Sequence, residues 1–527
     1  MKRNRFGKNM CLIFLLLILS TVFLQACSTS GKDATKKDKE NTNGGVEEGG
    51  TLKVLVGADA TSLDPHFITN VPTANFHYQK IYETLIAFDE EMEIIPKLAK
   101  DWKQVDDLTW EFYLQEGVSF HDGEAFNAEA VKVTFDRLLD PATSSPQRDK
   151  VSMINEVKAI DEYTVQLILD EPYAPILTIL ASQEASIMSP KSVLENPESL
   201  IDTPVGTGPF VFGSWESGNA ITIVKNENYW GEPVKVDEVV FQVIPEDSTR
   251  IAMLETGEAH ISDQVPSTEL DRISNSENLN LMRTEGLAVE YIGFNMQKAP
   301  LDNKDLRLAI SHAIEREAII TGIYNDVGTL ANSTMSPNVF GYSSKIEPYP
   351  YDINKAKAHF EKSGVDPKTE ISIVTSDRKE RIDMAEVIES QLKGIGMNAK
   401  IQVLEYGAYI DTVNNGEHDI FIGGWGNATG DGDYNQYNLF HTDSFGAPGN
   451  HFYYSKPEVD QLIEQGRVEV DADKRLDIYE KVQLIEMEDA AYVPIRNYEH
   501  LALYNNDVQG FWLSPVNYLM LNETTVK

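Results

Sequence analysis

From Thr51 to Gly57 the chain reads Thr-Leu-Lys-Val-Leu-Val-Gly, and this near-alternation of apolar and polar positions predicts a strand. The clearest patterning lies further on. Glu370 to Ser376 reads as a strand, and Arg381 to Leu392 has helical periodicity, with Asp377 and Glu380 as its expected capping pair. Ala399 to Leu404 is the next predicted strand, Tyr406 to Val413 a short helix and His418 to Gly423 a third strand. This β-α-β-α-β order predicts parallel strands with right-handed crossovers. Strand and helix patterns alternate elsewhere too, so the expected class is α/β. Ligands of open α/β sheets bind beyond the carboxyl ends of the strands. That rule puts Thr375 to Arg378 and Trp425 to Asp433 on one rim.

The longest apolar run is at the start. It extends from Cys11 to Leu19 and on through Val22, Phe23 and Leu24, after Lys2, Arg3, Arg5 and Lys8 and with no acid before Cys27. A basic segment before a run of ~16 residues, short of the ~20 that span a bilayer, predicts an export signal. Leu24-Gln25-Ala26-Cys27 resembles the lipobox of bacterial lipoproteins. The resemblance implies cleavage after residue 26 and diacylation of Cys27. From Ser28 to Gly50 there is no aromatic residue and much Gly, Ser, Thr, Lys and Asn, the composition of a flexible tether.

Charge narrows the function. The 527 residues contain 45 Lys+Arg and 83 Asp+Glu, a formal charge of −38. Loss of the four basic residues of the signal takes −38 to −42. Such acidity excludes nucleic acid and electrostatic docking on anionic lipid. At ~150 residues per domain the length predicts three or four domains. The only cysteines are Cys11 and Cys27, so neither a disulfide framework nor a Cys-based zinc site is expected. Catalytic signatures are missing: there is no His-Glu-x-x-His, no Gly-x-Ser-x-Gly and no Walker A loop. His441 and His451 lack helical ligand spacing. Asp431-Gly-Asp433-Tyr-Asn435 opens like a calcium loop, but the pattern needs Gly and Glu where Gln436 and Thr442 stand.

One long stretch carries a family likeness. Leu114-Gln-Glu-Gly-Val-Ser-Phe120-His-Asp122-Gly123-Glu-Ala-Phe126-Asn127-Ala128-Glu-Ala-Val131 resembles the signature of the family 5 solute-binding proteins. Physically it reads as the end of a strand, Trp110 to Leu114, then a turn at Asp122-Gly123 and a helix capped by Asn127. Ser62-Leu-Asp-Pro-His66, Ile81-Tyr-Glu-Thr-Leu85, Pro204-Val-Gly-Thr-Gly-Pro-Phe210 and Asn228-Tyr-Trp230 look like further motifs of that family in its order. So do Phe294-Asn-Met296 and Leu306-Arg307-x-Ala309-Ile310. The likeness covers the chain from about Gly50 onward. Within the family, Trp425 followed by small residues and Thr429-Gly-Asp431-x-Asp433 is most similar to the glutathione-binding type, and Tyr349 to Ala356 and Gly510-Phe-Trp512 agree. The dipeptide branch has an Asp at the position of Ala428, and its carboxylate-binding Arg falls near Thr375.

This resemblance implies a periplasmic-binding-protein-like fold of two lobes (class II, cluster C) with an extra inserted domain. The expected parts are a first lobe of 51–86, 204–285 and 497–527, an inserted domain of 87–203 and a second lobe of 286–496, hinged near 285 and 497. The implied role is that of a non-enzymatic, lipid-anchored receptor on the outer face of the bacterial cytoplasmic membrane. It would act as a monomer with no cofactor, delivering glutathione or a related short peptide to an ABC permease and its ATPase. Dipeptide, oligopeptide, haem and nickel chelates are the rival cargoes. A secreted hydrolase or an adhesin is the rival class. The expected ligand-binding residues are Arg378, Trp425, Asn427, Thr429, Asp431 and Asp433. Arg378 would clamp a carboxylate, Asp431 or Asp433 would receive an ammonium, and Trp425 would lie along the ligand. Each also has a plainer reading: Arg378 as a surface residue at a helix start, the two acids as loop caps, and Trp425 as core.

Overall fold

Two long antiparallel strands, Leu279–Phe294 and Tyr492–Asn505, run through the centre of the molecule in a computed structural model that describes residues 49–447 and 449–527. The export signal, Cys27 and all but the last two residues of the tether lie outside the described residues. The register between the two strands shifts between Glu285 and Val289 and again between Glu290 and Tyr291. On one side of these shifts, Tyr492–Asn505 pairs with Ile261–Ser262. The sheet continues from there through Thr51–Val56, Glu238–Val243, Ala220–Lys225 and Phe210–Glu216. On the other side, Leu279–Phe294 pairs with Ile420–Gly426, followed by Glu370–Ser376 and Asn398–Leu404.

The β-α-β-α-β unit forms as its periodicity predicts. Glu370–Ser376 is parallel to both Asn398–Leu404 and Ile420–Gly426, and Lys379–Gly394 and Tyr406–Asn414 are the crossover helices. Glu370–Ser376 is buried along almost its whole length, as expected when helices cover a parallel sheet. The capping pair differs from expectation. Arg378 occupies the cap position of Lys379–Gly394, and no side chain caps that helix. Its first amides are therefore left without a side-chain cap.

A separate antiparallel sheet has the order Ala99–Asp106, Thr109–Leu114, Thr164–Leu169, Ile154–Asp161. Helix Ala128–Leu139 packs its apolar face on this sheet around Phe112, Phe135 and Leu167. Asn127 caps the helix, its Oδ1 accepting from the Ala130 amide at 3.1 Å.

Several sequence motifs meet on one buried carboxylate. Glu83 accepts from Thr207 Oγ1 at 2.8 Å, Tyr229 OH at 2.6 Å and Trp230 Nε1 at 2.8 Å, and pairs with Lys97 Nζ at 3.0 Å. Gly206 and Gly208 lie against the Lys80–Ile81 backbone so closely that a Cβ at either would collide with a carbonyl oxygen. The Gly-Thr-Gly motif is thus a close backbone approach that presents Thr207 to Glu83.

Candidate functional site

Where Ile420–Gly426 ends, the chain forms a tight loop before helix Gly432–Phe440. Asn427 organises this loop. Its Oδ1 accepts from the amides of Thr429 at 2.9 Å and Gly430 at 2.6 Å. Its Nδ2 donates to the Asp431 carbonyl at 2.7 Å and to Asn435 Oδ1 at 2.5 Å. Gly430 has a φ of +75°, which a side-chain-bearing residue would resist. Thr429 Oγ1 accepts from the Asp431 amide at 3.2 Å.

Three of the cavities that border the loop bear on the expected site. One of about 460 Å³ is lined by Arg378, Arg381, Tyr406, Tyr409, Trp425, Tyr434 and Tyr498, among others. A second, of about 330 Å³, has Asn427 and Ala428 on one side and Tyr78, His500 and Tyr518 on the other. The first two share Ala288 and Gly426. A third, of about 480 Å³, joins Thr429 and Tyr434 to Lys150, Tyr173 and Arg467.

The residues expected from the sequence divide accordingly. Arg378 and Trp425 line the same cavity. Arg378 is exposed and has no ion-pair partner among the described residues. Trp425 is half-buried, packs against Tyr434 with ring centroids 5.3 Å apart, and leaves its indole N–H without a partner. Asn427 and Thr429 hold the loop's shape and border the second and third cavities. Asp431 is buried with both carboxylate oxygens on Arg475, each at 2.8 Å, and Oδ1 also caps Gly432–Phe440 by accepting from the Asp433 amide. Asp433 accepts from Tyr173 OH at 3.2 Å and lies 3.4 Å from Arg467 Nε. Burial pushes its carboxyl up to about 6, more than Arg467 pulls it down. The calcium-like opening therefore serves arginines and a helix cap. Among the described residues there is no cluster of three or more His, Cys, Asp or Glu able to hold a metal.

The first cavity is chemically one-sided. It carries Arg378 and Arg381, and no Asp or Glu is among its lining residues. His451 also lines it, but burial lowers that imidazole to about 4, leaving it neutral at pH 7. The positive charge of the cavity is therefore guanidinium.

Sequence reasoning did not pick out Arg381, Glu290 or Tyr498. Arg381 pairs with Glu290, its Nε 2.7 Å from Oε1, and Glu290 pairs again with Arg496, whose Nε is 3.0 Å from Oε2. The spacing of Arg378 and Arg381, three residues apart at a helix start, was the available signal. Tyr173 and Arg467 were also missed. Arg467 stacks over Tyr437 at 4.1 Å and Tyr173 at 5.4 Å, and its carbonyl accepts from the Ala174 amide at 2.7 Å.

Comparison with known proteins gives this arrangement a context. The profile of bacterial extracellular solute-binding proteins, family 5 Middle, matches residues 93–447. The dipeptide-binding protein of Escherichia coli K12 is 29% identical over 498 residues, covering 88% of this chain and 92% of that protein. The glutathione-binding protein GsiB of Escherichia coli O6:K15:H31 is 28% identical, with the same shares covered. The structure of HbpA2 from Haemophilus parasuis superposes with a TM-score of 0.86 at 26% identity, covering 91% of this chain and all of the other. Relatives with different cargoes thus match almost equally, and overall identity does not choose among them. The chain belongs to family 5 of the bacterial extracellular solute-binding proteins, two-lobed α/β receptors that bind a solute for an ABC importer and catalyse no reaction.

Proposed function

We propose that this protein is a lipid-anchored receptor on the outer face of the cytoplasmic membrane that captures glutathione or a related short acidic peptide for an ABC permease. The observation that carries the reading is the acid-free cavity with an unpaired Arg378 at its edge, in a chain of charge −38. Glutathione has two carboxylates and one ammonium and is anionic at neutral pH. Ala428 supports the choice, because the dipeptide branch places there the acid that meets an α-ammonium. Asp431, with both oxygens on Arg475, is not offered for that role, and Asp433 contributes only through its contact with Tyr173. Capture proceeds by closure of the lobe 51–86, 204–285 and 497–527 and the inserted domain 87–203 over 286–496, about crossings near 285 and 497.

Calorimetry tests the cargo. Glutathione should bind the wild-type chain, and Arg378→Ala should weaken it ~30-fold or more with the melting temperature unchanged. Absence of heat with glutathione, together with clear binding of ordinary dipeptides, would move the protein to the dipeptide branch. A second reading, an aromatic or haem-type cargo, is favoured by the aromatic walls of the cavity formed by Tyr406, Tyr409, Trp425 and Tyr434. The anchor has its own test: Cys27→Ala should release the protein from the membrane and abolish palmitate labelling.

A further inference from the structure

Glu290 sits on Leu279–Phe294 just past the register shift, 1% exposed, and two guanidiniums share it. Tyr498 OH adds a contact at 3.4 Å. Neither arginine pairs with any other carboxylate among the described residues. Two positive charges against one negative leave a surplus of one positive charge in a nearly enclosed place.

The two arginines are not equivalent. Arg496 is held at several points: its Nε donates to Glu290 and its Nη1 to the Val327 carbonyl at 3.0 Å, and its plane lies over Tyr324 at 3.5 Å and Tyr498 at 4.3 Å. Arg381 comes closest to Glu290 through Nε, 2.7 Å from Oε1. Its Nη1 and Nη2 make no hydrogen bond among the described residues, and the side chain, 13% exposed, lines the acid-free cavity. The fork is also kept clear on the protein side. A Cβ at Gly424 would stand 3.0 Å from Arg381 Nη2, tight enough to crowd it.

We infer that Arg381 is the inner anion receptor of this cavity and Glu290 its positioning residue. The inference rests on the proposed capture of an acidic solute and names the group that holds the acid. Glu290 holds the guanidinium by charge, its Oε1 2.7 Å from Nε, and the two terminal nitrogens offer a planar fork suited to a carboxylate or similar oxyanion. An uncompensated buried charge is costly, and an arriving anion brings the cluster to neutrality. Arg378, one helical turn earlier and exposed, meets the solute first.

The test is Arg381→Gln in the full chain, which leaves Glu290 and Arg496 as a balanced pair. Binding of glutathione, Ala-Phe and Ala-Phe amide is measured by calorimetry, with melting temperatures alongside. The wild-type chain should favour the free acid over the amide ~30-fold or more, the scale of one desolvated charged partner. In Arg381→Gln that preference should fall to within ~3-fold, with the melting temperature equal to or above wild type. A lowered melting temperature with the preference intact would mean that Arg381 only holds the fold, and would overturn the inference. If no peptide binds the wild-type chain, the cargo reading fails, and thermal shift with citrate then decides. A citrate shift in the wild type that Arg381→Gln removes supports the inner receptor, whereas equal or absent shifts overturn it.

Discussion

Glu83 and Glu290 are both sealed from solvent, and their charges are compensated in different ways. Glu83 has one ammonium, from Lys97, and three neutral donors, Thr207, Tyr229 and Trp230. Its charge is balanced and its oxygens are filled, and it ties together chain segments more than 120 residues apart. Glu290 has two guanidiniums and only a long contact from Tyr498 OH beside them. Burial works against its charged form, but the two arginines outweigh it and hold the carboxyl below the usual range. A cluster that closes on itself builds structure, while one left with surplus charge is built to be completed from outside. Asp433 is the opposite case, with one guanidinium at 3.4 Å and a carboxyl that burial pushes up to about 6.

Substitutions at these three carboxylates should separate the cases. Glu290→Gln leaves two buried guanidiniums facing a neutral amide, and should cost ~3–5 kcal/mol in urea unfolding. Glu83→Gln should cost less, ~1–3 kcal/mol, because Lys97 is partly exposed and can regain water. The reverse order would break the contrast between a balanced and an overcharged cluster. The smallest effect is expected at Asp433 and depends on pH. Its folded pKa, about 6, lies above the ordinary value of 3.8, so folding takes up a proton between those values. The stability it contributes is present at low pH and lost as pH rises through 6. Relative to Asp433→Asn, the wild-type chain should gain on the order of 1 kcal/mol as pH falls from 7 to 5. Glu290 has the opposite sign, and its contribution is lost as pH falls below the usual carboxylate range. Melting curves of the variants at pH 5 and pH 7 would show the Asp433 trend, and curves carried down from pH 5 to about pH 3 would show the Glu290 trend.

Much of the second lobe was legible because its signals are local. The strand Glu370–Ser376 and both crossover helices follow from periodicity, and the strand-end rule brought Arg378 and Trp425 to one cavity. What was not legible depends on partners far along the chain. Asp431 is 44 residues from Arg475, Asp433 is 260 from Tyr173, and Glu290 is 206 from Arg496. No short-range pattern reports such pairs, so the sequence offered Asp431 as an ammonium receptor or a loop cap, and it is the cap that the structure shows, with Arg475 added. The cap of Lys379–Gly394 was misplaced for a related reason. Asp377 and Glu380 have suitable chemistry at suitable spacing, but the helix begins after Arg378, with neither side chain in use. The motif around Glu83 revealed kinship by its letters, whereas its physical task emerged only when Thr207, Tyr229 and Trp230 were seen to converge.

The bond from the Ala174 amide to the Arg467 carbonyl has a practical consequence. It joins main chain to main chain between two segments far apart in the chain, so it does not depend on which side chains line the cavities. Cargo preference can drift by substitution while this fastening stays the same. The Ala174 amide is also a natural clock for opening. Its hydrogen exchanges with deuterium only when this bond breaks or the chain unfolds, so its exchange rate counts separations of the two segments with no label attached.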